Sequence, residues 1–433
     1  MITRFAPSPT GLIHLGNART ALIAYFAARS SGGEFILRID DTDVTRIKSE
    51  YVNKIFTDLS WLGIKEDLCI KQSERCELYA NAVVKLKESG RIYPCYETPE
   101  ELEIERRSLL ARALPPVYRR KNRPQHSTRL PYYRFELDPD RVVIWEDKLR
   151  GKIVIDLHST SDPIVIRENG TYTYMLPSVV DDIECRISTI IRGEDHISNT
   201  AVQIQMFEAL GCTEIPKFAH MPLLKLQTGK MSKRAGGNEI QTFRENYIEP
   251  EVICLYLLNL GSKSRSTFKN YKDYSNFNLE NYSSSSSVTV LEDEIYSLNA
   301  DFLRLSNYED LARRLGGVSK TFWDAVKNNV KSIPEVNYWW EICTTEAKLY
   351  PGIGCNAQLV RDAISVLPQE EVSRETYRRW VELIVENYRY DKREVHINLR
   401  LALTGKVGGP EMAAILPFIS RERILIRLND SLS

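Results

Sequence analysis

PSPTGLIHLGN, residues 7–17, decides how the rest of the chain is read. The apolar run ITRFAP leads into it and reads as a short strand. ARTALIAYFAARS follows with apolar residues at helical spacing, and Ser31, Gly32 and Gly33 stop that helix. The segment is therefore a strand-to-helix turn. At such a turn the first helical N–H groups are unpaired and the helix dipole favours anions. Gly11 and Gly16 let a flat or anionic ligand approach the backbone. The His14 imidazole is placed to hydrogen-bond a phosphate oxygen as charge builds on it. An ordinary Pro/Gly turn with a surface histidine accounts for the same residues, and the segment alone does not separate the two.

Working outward, GEFILRIDDTD is an apolar strand ending in acids, and Lys48 to Trp61 is again helical in period. Strand, helix, strand is the βαβ pattern. Residues 94–162 differ. ETPEELEIERRSLLARAL is a charged helix, Pro115-Pro116 and YRRKNRP break the pattern, and RVVIWEDKLRGKIVIDLHS alternates as a hairpin does. This stretch reads as an insertion between two halves of one α/β domain. Strands return in DPIVIRENGTYTYML around an Asn169-Gly170 turn, in ISTIIRGED and in FAHMPLLKL. NTAVQIQMFEALG between them is a helix. Beyond Phe243 helical periods dominate, with a low-complexity serine run at 283–287.

Composition sets the bounds. The 433 residues exceed one ordinary core, so about two to four domains are expected. Lys plus Arg and Asp plus Glu number 58 each, so the total charge lends a nucleic-acid partner no support, although a locally basic face is compatible with it. No stretch approaches the roughly 20 apolar residues that span a bilayer, no targeting segment is visible, and the cytoplasm is the expected compartment. The 8 cysteines are irregularly spaced without a CxxC pair, which argues against a disulfide framework and a structural zinc site.

KMSKR, residues 230–234, is a basic loop flanked by glycines. Its cations suit the charge that grows on a leaving pyrophosphate, and a mobile loop can close after ATP binds. Taken alone, such a run is more often a solvated loop.

Together the two motifs carry a resemblance. HLGN resembles the HIGH motif of class I aminoacyl-tRNA synthetases, and KMSKR resembles their KMSKS motif. RFAPSPTGLIHLGNARTAL is similar to glutamyl-tRNA synthetases in particular. So are LRIDDTD, QSER with Tyr79 after it, VVDDIECRISTIIRGEDHISNT, FAHMPLLKLQTGKMSKR and, near the C-terminus, RLALTGKVGGPEMAAIL. The resemblance implies an α/β Rossmann-type catalytic core with an α+β insertion, followed by an all-α anticodon-binding region of the bacterial type. The segments it implies are 1–93 and 163–242 for the core, 94–162 for an acceptor-end insertion, 243–300 for a stem-contact region and 301–433 for the anticodon domain.

The implied reaction activates L-glutamate with ATP, accompanied by magnesium, and passes the glutamyl group to tRNA(Glu). Charging of tRNA(Gln) with glutamate is the alternative. By the same resemblance, His14, Lys230 and Lys233 are catalytic. ATP falls to Pro7, Thr10, Gly11, His14, Gly16, Asn17, Met231, Ser232, Lys233 and Arg234. Glutamate falls to Arg4, Ala6, Ser8, Asp40, Tyr174 and Arg192, with the arginines suited to a carboxylate by their planar fork of donors. Arg46, Arg378, Arg379 and Arg393 are tRNA contacts. For Arg4 and Arg192 structural ion pairing is the rival role, for Tyr174 a place in the core. Asp40 and Asp195 stand where the family commonly has glutamate, so the reach of Asp40 to the substrate ammonium is shorter by one methylene. Relatives with zinc in the insertion begin it with C-x-C. Here Cys95-Tyr96-Glu97 has no later cluster to complete a tetrahedral set, so no zinc is expected. A monomer is expected.

Overall fold

A computed structural model describes residues 1–43, 47–121, 129–227, 238–267, 269–282, 288–345 and 354–432. Arg46 and the whole of 230–234, with Lys230, Met231, Ser232, Lys233 and Arg234, lie outside the described residues. The chain divides into two compact units, Met1–Asn246 with Pro250–Glu292, and Tyr247–Glu249 with Asp293–Ser433.

The first unit is built on a sheet of strands β1 (Ile2–Phe5), β2 (Glu34–Ile39), β3 (Leu68–Lys71), β6 (Val143–Asp147), β7 (Gly151–Ile155), β9 (Thr189–Gly193) and β10 (Lys217–Met221). The order is β3-β2-β1-β9-β10-β6-β7, parallel throughout except for the β6–β7 pair. Strands β1 and β2 are buried along nearly their whole length, as in a parallel sheet covered by helices on both faces. The chain leaves β1 toward β2 and β3 on one side, while β9 leads to β10 on the other. The boundary between β1 and β9 is thus a topological switch point, and the crevice beyond its strand ends is where ligands bind in open α/β sheets.

Helix α1 (Leu15–Ser30) crosses behind β1, and Leu15, Ala18, Ala21, Leu22 and Ile23 are all buried. The turn after it brings Gly33 so close to the first residue that a Cβ there would sit 1.8 Å from the Met1 carbonyl oxygen. Helices α2 (Ser49–Trp61), α3 (Cys76–Glu88), α4 (Pro99–Ala111), α5 (Met175–Glu184) and α6 (Ile197–Ala209) complete the α/β pattern. Strands β4 (Ile92–Cys95), β5 (Tyr132–Phe135) and β8 (Ile164–Ile166) form a separate antiparallel sheet.

Three local expectations change. The hairpin foreseen inside 94–162 is β6–β7, and it extends the main sheet. Asp147 at its turn accepts from the backbone N–H of Leu149 and from that of His220 on β10. In DPIVIRENGTYTYML the Gly170 turn is present, with φ +80°, but the returning strand is a single bridge from Tyr172 to Ile166. Met175 already opens α5, whose apolar residues recur at helical spacing and whose Pro177 is tolerated in the first turn. FAHMPLLKL is two strands, because Pro222 offers no N–H to a ladder. Leu223 turns its N–H to the Glu194 carboxylate at 3.0 Å, and β11 (Leu224–Gln227) pairs instead with β12 (Val288–Leu291).

The second unit has no strand among its described residues. Its helices include Lys320–Val326, Ile333–Thr344, Ala357–Ser365, Arg374–Tyr388, Lys392–Thr404 and Arg421–Asp430. They close on a core containing Phe322, Trp323, Trp339 and Trp380. The Trp380 indole donates to the Ala363 carbonyl at 2.9 Å, so this tryptophan is a core residue and not a surface for bases. Arg378 and Arg379 are exposed on one helix and pair with Glu375 and Glu370, while Arg393 is exposed on the next. No described helix is long and apolar enough to cross a membrane.

Candidate active site

A cleft of about 840 Å³ opens at the β1/β9 switch point. Arg4, Ala6, Pro7, Ser8, Thr10, Gly11, His14, Gly16, Asn17, Asp40, Tyr174 and Arg192 all line it, together with Asp195, His196 and Asn238. Every site residue expected from sequence within the described part of the first unit is therefore on one surface.

The start of α1 shows why the HLG spacing matters. His14 is the N-cap, and its Nδ1 accepts from the N–H groups of Gly16 at 3.0 Å and Asn17 at 3.3 Å. Asn17 completes a capping box with its side-chain oxygen on the His14 N–H. With Nδ1 used as an acceptor, the proton of the neutral ring sits on Nε2, which is left as a donor for the cleft. Burial lowers the His14 pKa, with Glu239 opposing. The cap is thus intact above the ordinary value of 6.5 and is lost as acid protonates Nδ1. Just past the KMSKR segment the chain returns to this loop, where Leu15 donates to the Asn238 carbonyl and Ile240 to that of Ile13, both at 2.9 Å.

Gly16 lies against the histidine ring: a Cβ there would come within 2.9 Å of His14 Cε1. Gly16→Ala is expected to keep the fold and turn the imidazole off its cap. A structure of the variant with the ring still accepting from the Gly16 and Asn17 N–H groups would contradict this contact.

The floor of the cleft is ionic. Arg38 reaches Asp40 at 2.6 Å, Asp182 at 2.7 Å and the Ser178 hydroxyl at 2.9 Å. Arg4 shares Asp182 at 3.2 Å. Burial opposes the charge on Arg38, but Asp40 and Asp182 more than offset it and hold its pKa well above the ordinary value. Next along α5, Asp181 takes Gln72 at 2.9 Å, Arg75 at 2.7 Å and the Tyr79 hydroxyl at 2.9 Å. Ser73 donates its N–H and hydroxyl to Asp41, each at 2.7 Å. The QSER stretch and Tyr79 thus act through the acid pairs 40–41 and 181–182, which they fix in place. Sequence reasoning did not single out Arg38, Asp181 and Asp182; two consecutive carboxylates inside the apolar run VVDDI were the available sign.

Arg192 differs from Arg4 and Arg38. It is 7% exposed. Its Nη2 donates to Thr200 Oγ1 at 2.6 Å and Gln203 Oε1 at 2.7 Å, and its Nη1 to the Tyr174 hydroxyl at 3.2 Å. All of these acceptors are neutral, and Arg192 has no carboxylate partner among the described residues. Burial brings its pKa down to about 10. Among Arg4, Arg38, Arg192, Asp40 and Asp182 the cations outnumber the carboxylates by one. A guanidinium in this state suits an anionic group entering the cleft.

In the insertion, Cys95 is buried and accepts a hydrogen bond from the Tyr118 hydroxyl at 3.4 Å. No group of three or more His, Cys, Asp or Glu arranged to hold a metal ion occurs among the described residues.

Known proteins resemble the chain across its length. The family described as tRNA synthetases class I (E and Q), catalytic domain, matches residues 1–297. Glutamate–tRNA ligase 1 of Wolbachia pipientis subsp. Culex pipiens (strain wPip) is 42% identical over 444 residues, covering 100% of this chain and 98% of that protein. Glutamate–tRNA ligase 1 of Anaplasma marginale (strain St. Maries) is 42% identical over 448 residues, with 99% of each covered. The crystal structure of a glutamate tRNA ligase from Elizabethkingia meningosepticum CCUG26117 in complex with its amino acid shares the fold, with a TM-score of 0.80 at 24% identity over 100% of this chain and 99% of that one. With a catalytic region matched from its first residue and relatives aligned end to end, the chain belongs to the glutamate–tRNA ligases of the class I tRNA synthetases.

Proposed function

We propose that the chain activates L-glutamate with ATP and transfers the glutamyl group to the 3'-terminal adenosine of tRNA(Glu), as a cytoplasmic monomer. The observation that carries this reading is Arg192, a buried cation with neutral partners on the cleft wall. A glutamate side-chain carboxylate supplies the missing negative charge, with Arg4 and the Tyr174 hydroxyl beside it. Ala6 and Ser8 follow Arg4 on the chain and offer backbone and hydroxyl contacts to the amino acid. Asp40 is the partner for the ammonium. Its carboxylate is already held by Arg38, which suits a fixed acceptor on a short side chain.

The nucleotide lies along 7–17, with Pro7, Thr10, Gly11, Gly16 and Asn17 lining its bed and magnesium entering as part of the magnesium–ATP substrate. The glutamate α-carboxylate attacks the α-phosphorus, the bond to the β-phosphate bridging oxygen breaks, and pyrophosphate leaves. The Nε2–H of His14 and the ammonium groups of Lys230 and Lys233 stabilise the charge that develops, with Met231, Ser232 and Arg234 completing the loop. A ribose hydroxyl of the tRNA then attacks the anhydride carbonyl and AMP departs. No protein nucleophile takes part, and catalysis is positioning and electrostatics.

For the tRNA, we assign 94–162 to the acceptor end, 243–300 to the stem and 301–433 to the anticodon. Arg46, Arg378, Arg379 and Arg393 serve as contacts, in keeping with the exposure of the last three.

Charging of purified glutamate and glutamine tRNAs with labelled glutamate tests the reading. Glutamate tRNA is expected to be charged, and failure to charge it would refute the assignment. Lys233→Ala is expected to melt like the wild type and to slow pyrophosphate exchange by about 100-fold or more. Wild-type exchange in that variant would remove Lys233 from the mechanism.

A further inference from the structure

His220 lies behind Arg192 and does not itself line the cleft. The two are register partners on adjacent parallel strands, β10 and β9. His220 is fully buried, and its Nδ1 stands 2.6 Å from Asp147 Oδ2 on β6, the next strand along. The other oxygen of Asp147 is occupied by the backbone N–H groups of Leu149, Arg150 and His220 itself. An ionised carboxylate can only accept, so Asp147 fixes the ring proton on Nδ1 and leaves Nε2 as a bare acceptor. That Nε2 is 2.9 Å from Thr200 Oγ1 and 3.5 Å from the Nε of Arg192, while Thr200 Oγ1 accepts Arg192 Nη2 at 2.6 Å. Phe218, also on β10, stacks within 9° of the His220 ring plane and lies beneath the Arg192 guanidinium. Both burial and the nearby Arg192 charge oppose protonation of the ring, while Asp147 favours it. The ring is therefore a neutral acceptor with a fixed tautomer, set against the rear edge of a guanidinium whose own hydrogen-bond acceptors are all neutral.

We infer that His220 and Thr200 are positioning residues for glutamate specificity: Asp147 orients the His220 ring, and the ring and the Thr200 hydroxyl hold the inner edge of Arg192. The outer edge, at Nη1 and Tyr174, is thereby kept toward the amino acid. This rests on the reading in which the glutamate side-chain carboxylate meets Arg192. It adds that the strand hairpin β6–β7, outside the cleft, sets the aim of that arginine. Holding both acceptors in place limits the rotamers of a long side chain and so keeps its fork preorganised for a planar carboxylate.

The test is steady-state pyrophosphate exchange with the full chain, tRNA present, with glutamate and ATP varied separately. His220→Asn places an amide donor near Asp147 and loses the Nε2 acceptor, whereas His220→Gln places an amide oxygen near the Nε2 position. Thr200→Val removes the hydroxyl and Thr200→Ser restores it. His220→Asn and Thr200→Val are expected to raise the glutamate KM about 10- to 100-fold with the ATP KM within about twofold of wild type. His220→Gln and Thr200→Ser are expected to recover to within about threefold. An equal rise in both KM values, or full activity in His220→Asn with loss in His220→Gln, would overturn the inference in favour of a purely structural contact to Asp147. If His220→Asn does not fold, Thr200→Val decides, and an unchanged glutamate KM there would overturn it. Absence of glutamate-dependent exchange in the wild type would overturn the functional reading and this inference with it. Wild-type exchange with an unmoved glutamate KM in the variants would overturn the inference alone.

Discussion

Arg192→Met is expected to abolish useful glutamate activation while leaving the unliganded chain at least as stable as the wild type. The two halves of this result have one cause. In the folded chain the Arg192 pKa falls below the ordinary guanidinium value to about 10, mainly through burial. A base with a lowered folded pKa binds its proton more weakly when folded. Its charge therefore costs stability at every pH below about 10, and that cost fades as the pH rises from there toward the ordinary guanidinium value. Methionine has a similar length and no charge, so it removes this cost and fills the space. A bound carboxylate offsets the same cost in the wild type. Losing one partner of a buried charge pair costs about 2–5 kcal/mol of binding, or roughly 30- to several-thousand-fold in kcat/KM for glutamate. The measurements are Tm without ligand and exchange kinetics. A variant that melts well below the wild type yet keeps its glutamate kcat/KM would contradict both halves.

Asp182→Ala should have the opposite profile. This carboxylate is 2% exposed and serves both Arg4 and Arg38. Its removal leaves two buried guanidinium groups sharing what remains, chiefly Asp40. Breaking a buried pair from one side costs about 3–5 kcal/mol, because the orphaned charge stays buried. For a unit of this size that is a drop of roughly 6–10 °C in Tm. Urea or thermal unfolding of the full chain checks it. A loss below about 1 kcal/mol would mean that Arg4 and Arg38 find solvent or other partners when Asp182 is absent.

The contrast between these two residues shows what the sequence makes legible. The strand–turn–helix at 2–30 is readable because its signals are local: an apolar run, Pro and Gly at the turn, then apolar residues at helical spacing. The placing of Arg4, Ser8, His14 and Gly16 on one cleft follows from that turn. Arg4 and Asp182 stand far apart in the chain, and nothing near either one announces the other. The same holds for the β6–β7 hairpin. Alternation identifies its strands, but pairing with β10 depends on a long-range meeting of Asp147 with Lys217–Met221 that no local pattern encodes. The split of FAHMPLLKL was present in the sequence as Pro222, a residue without the N–H a continuous strand needs. The returning strand expected after Gly170 failed because the helical spacing of α5 begins at Met175 and leaves too few residues for a ladder.

Arg192 was marked as a glutamate ligand by resemblance, with a structural ion pair as the rival role. No such ion pair exists among the described residues, where its partners are a tyrosine, a threonine, a glutamine and a histidine. Arg4, by contrast, has a structural carboxylate at 3.2 Å and enters the site already paired. Of Arg4, Arg38 and Arg192, only the last has no carboxylate partner among the described residues.

The most direct test compares glutamate with glutamine, its neutral near-isostere, in tRNA-dependent pyrophosphate exchange by the wild-type chain. A site with a buried, uncompensated guanidinium is expected to prefer glutamate by about 10⁴-fold in kcat/KM, because glutamine leaves that charge without a counter-ion. Comparable exchange with the two amino acids would contradict the account.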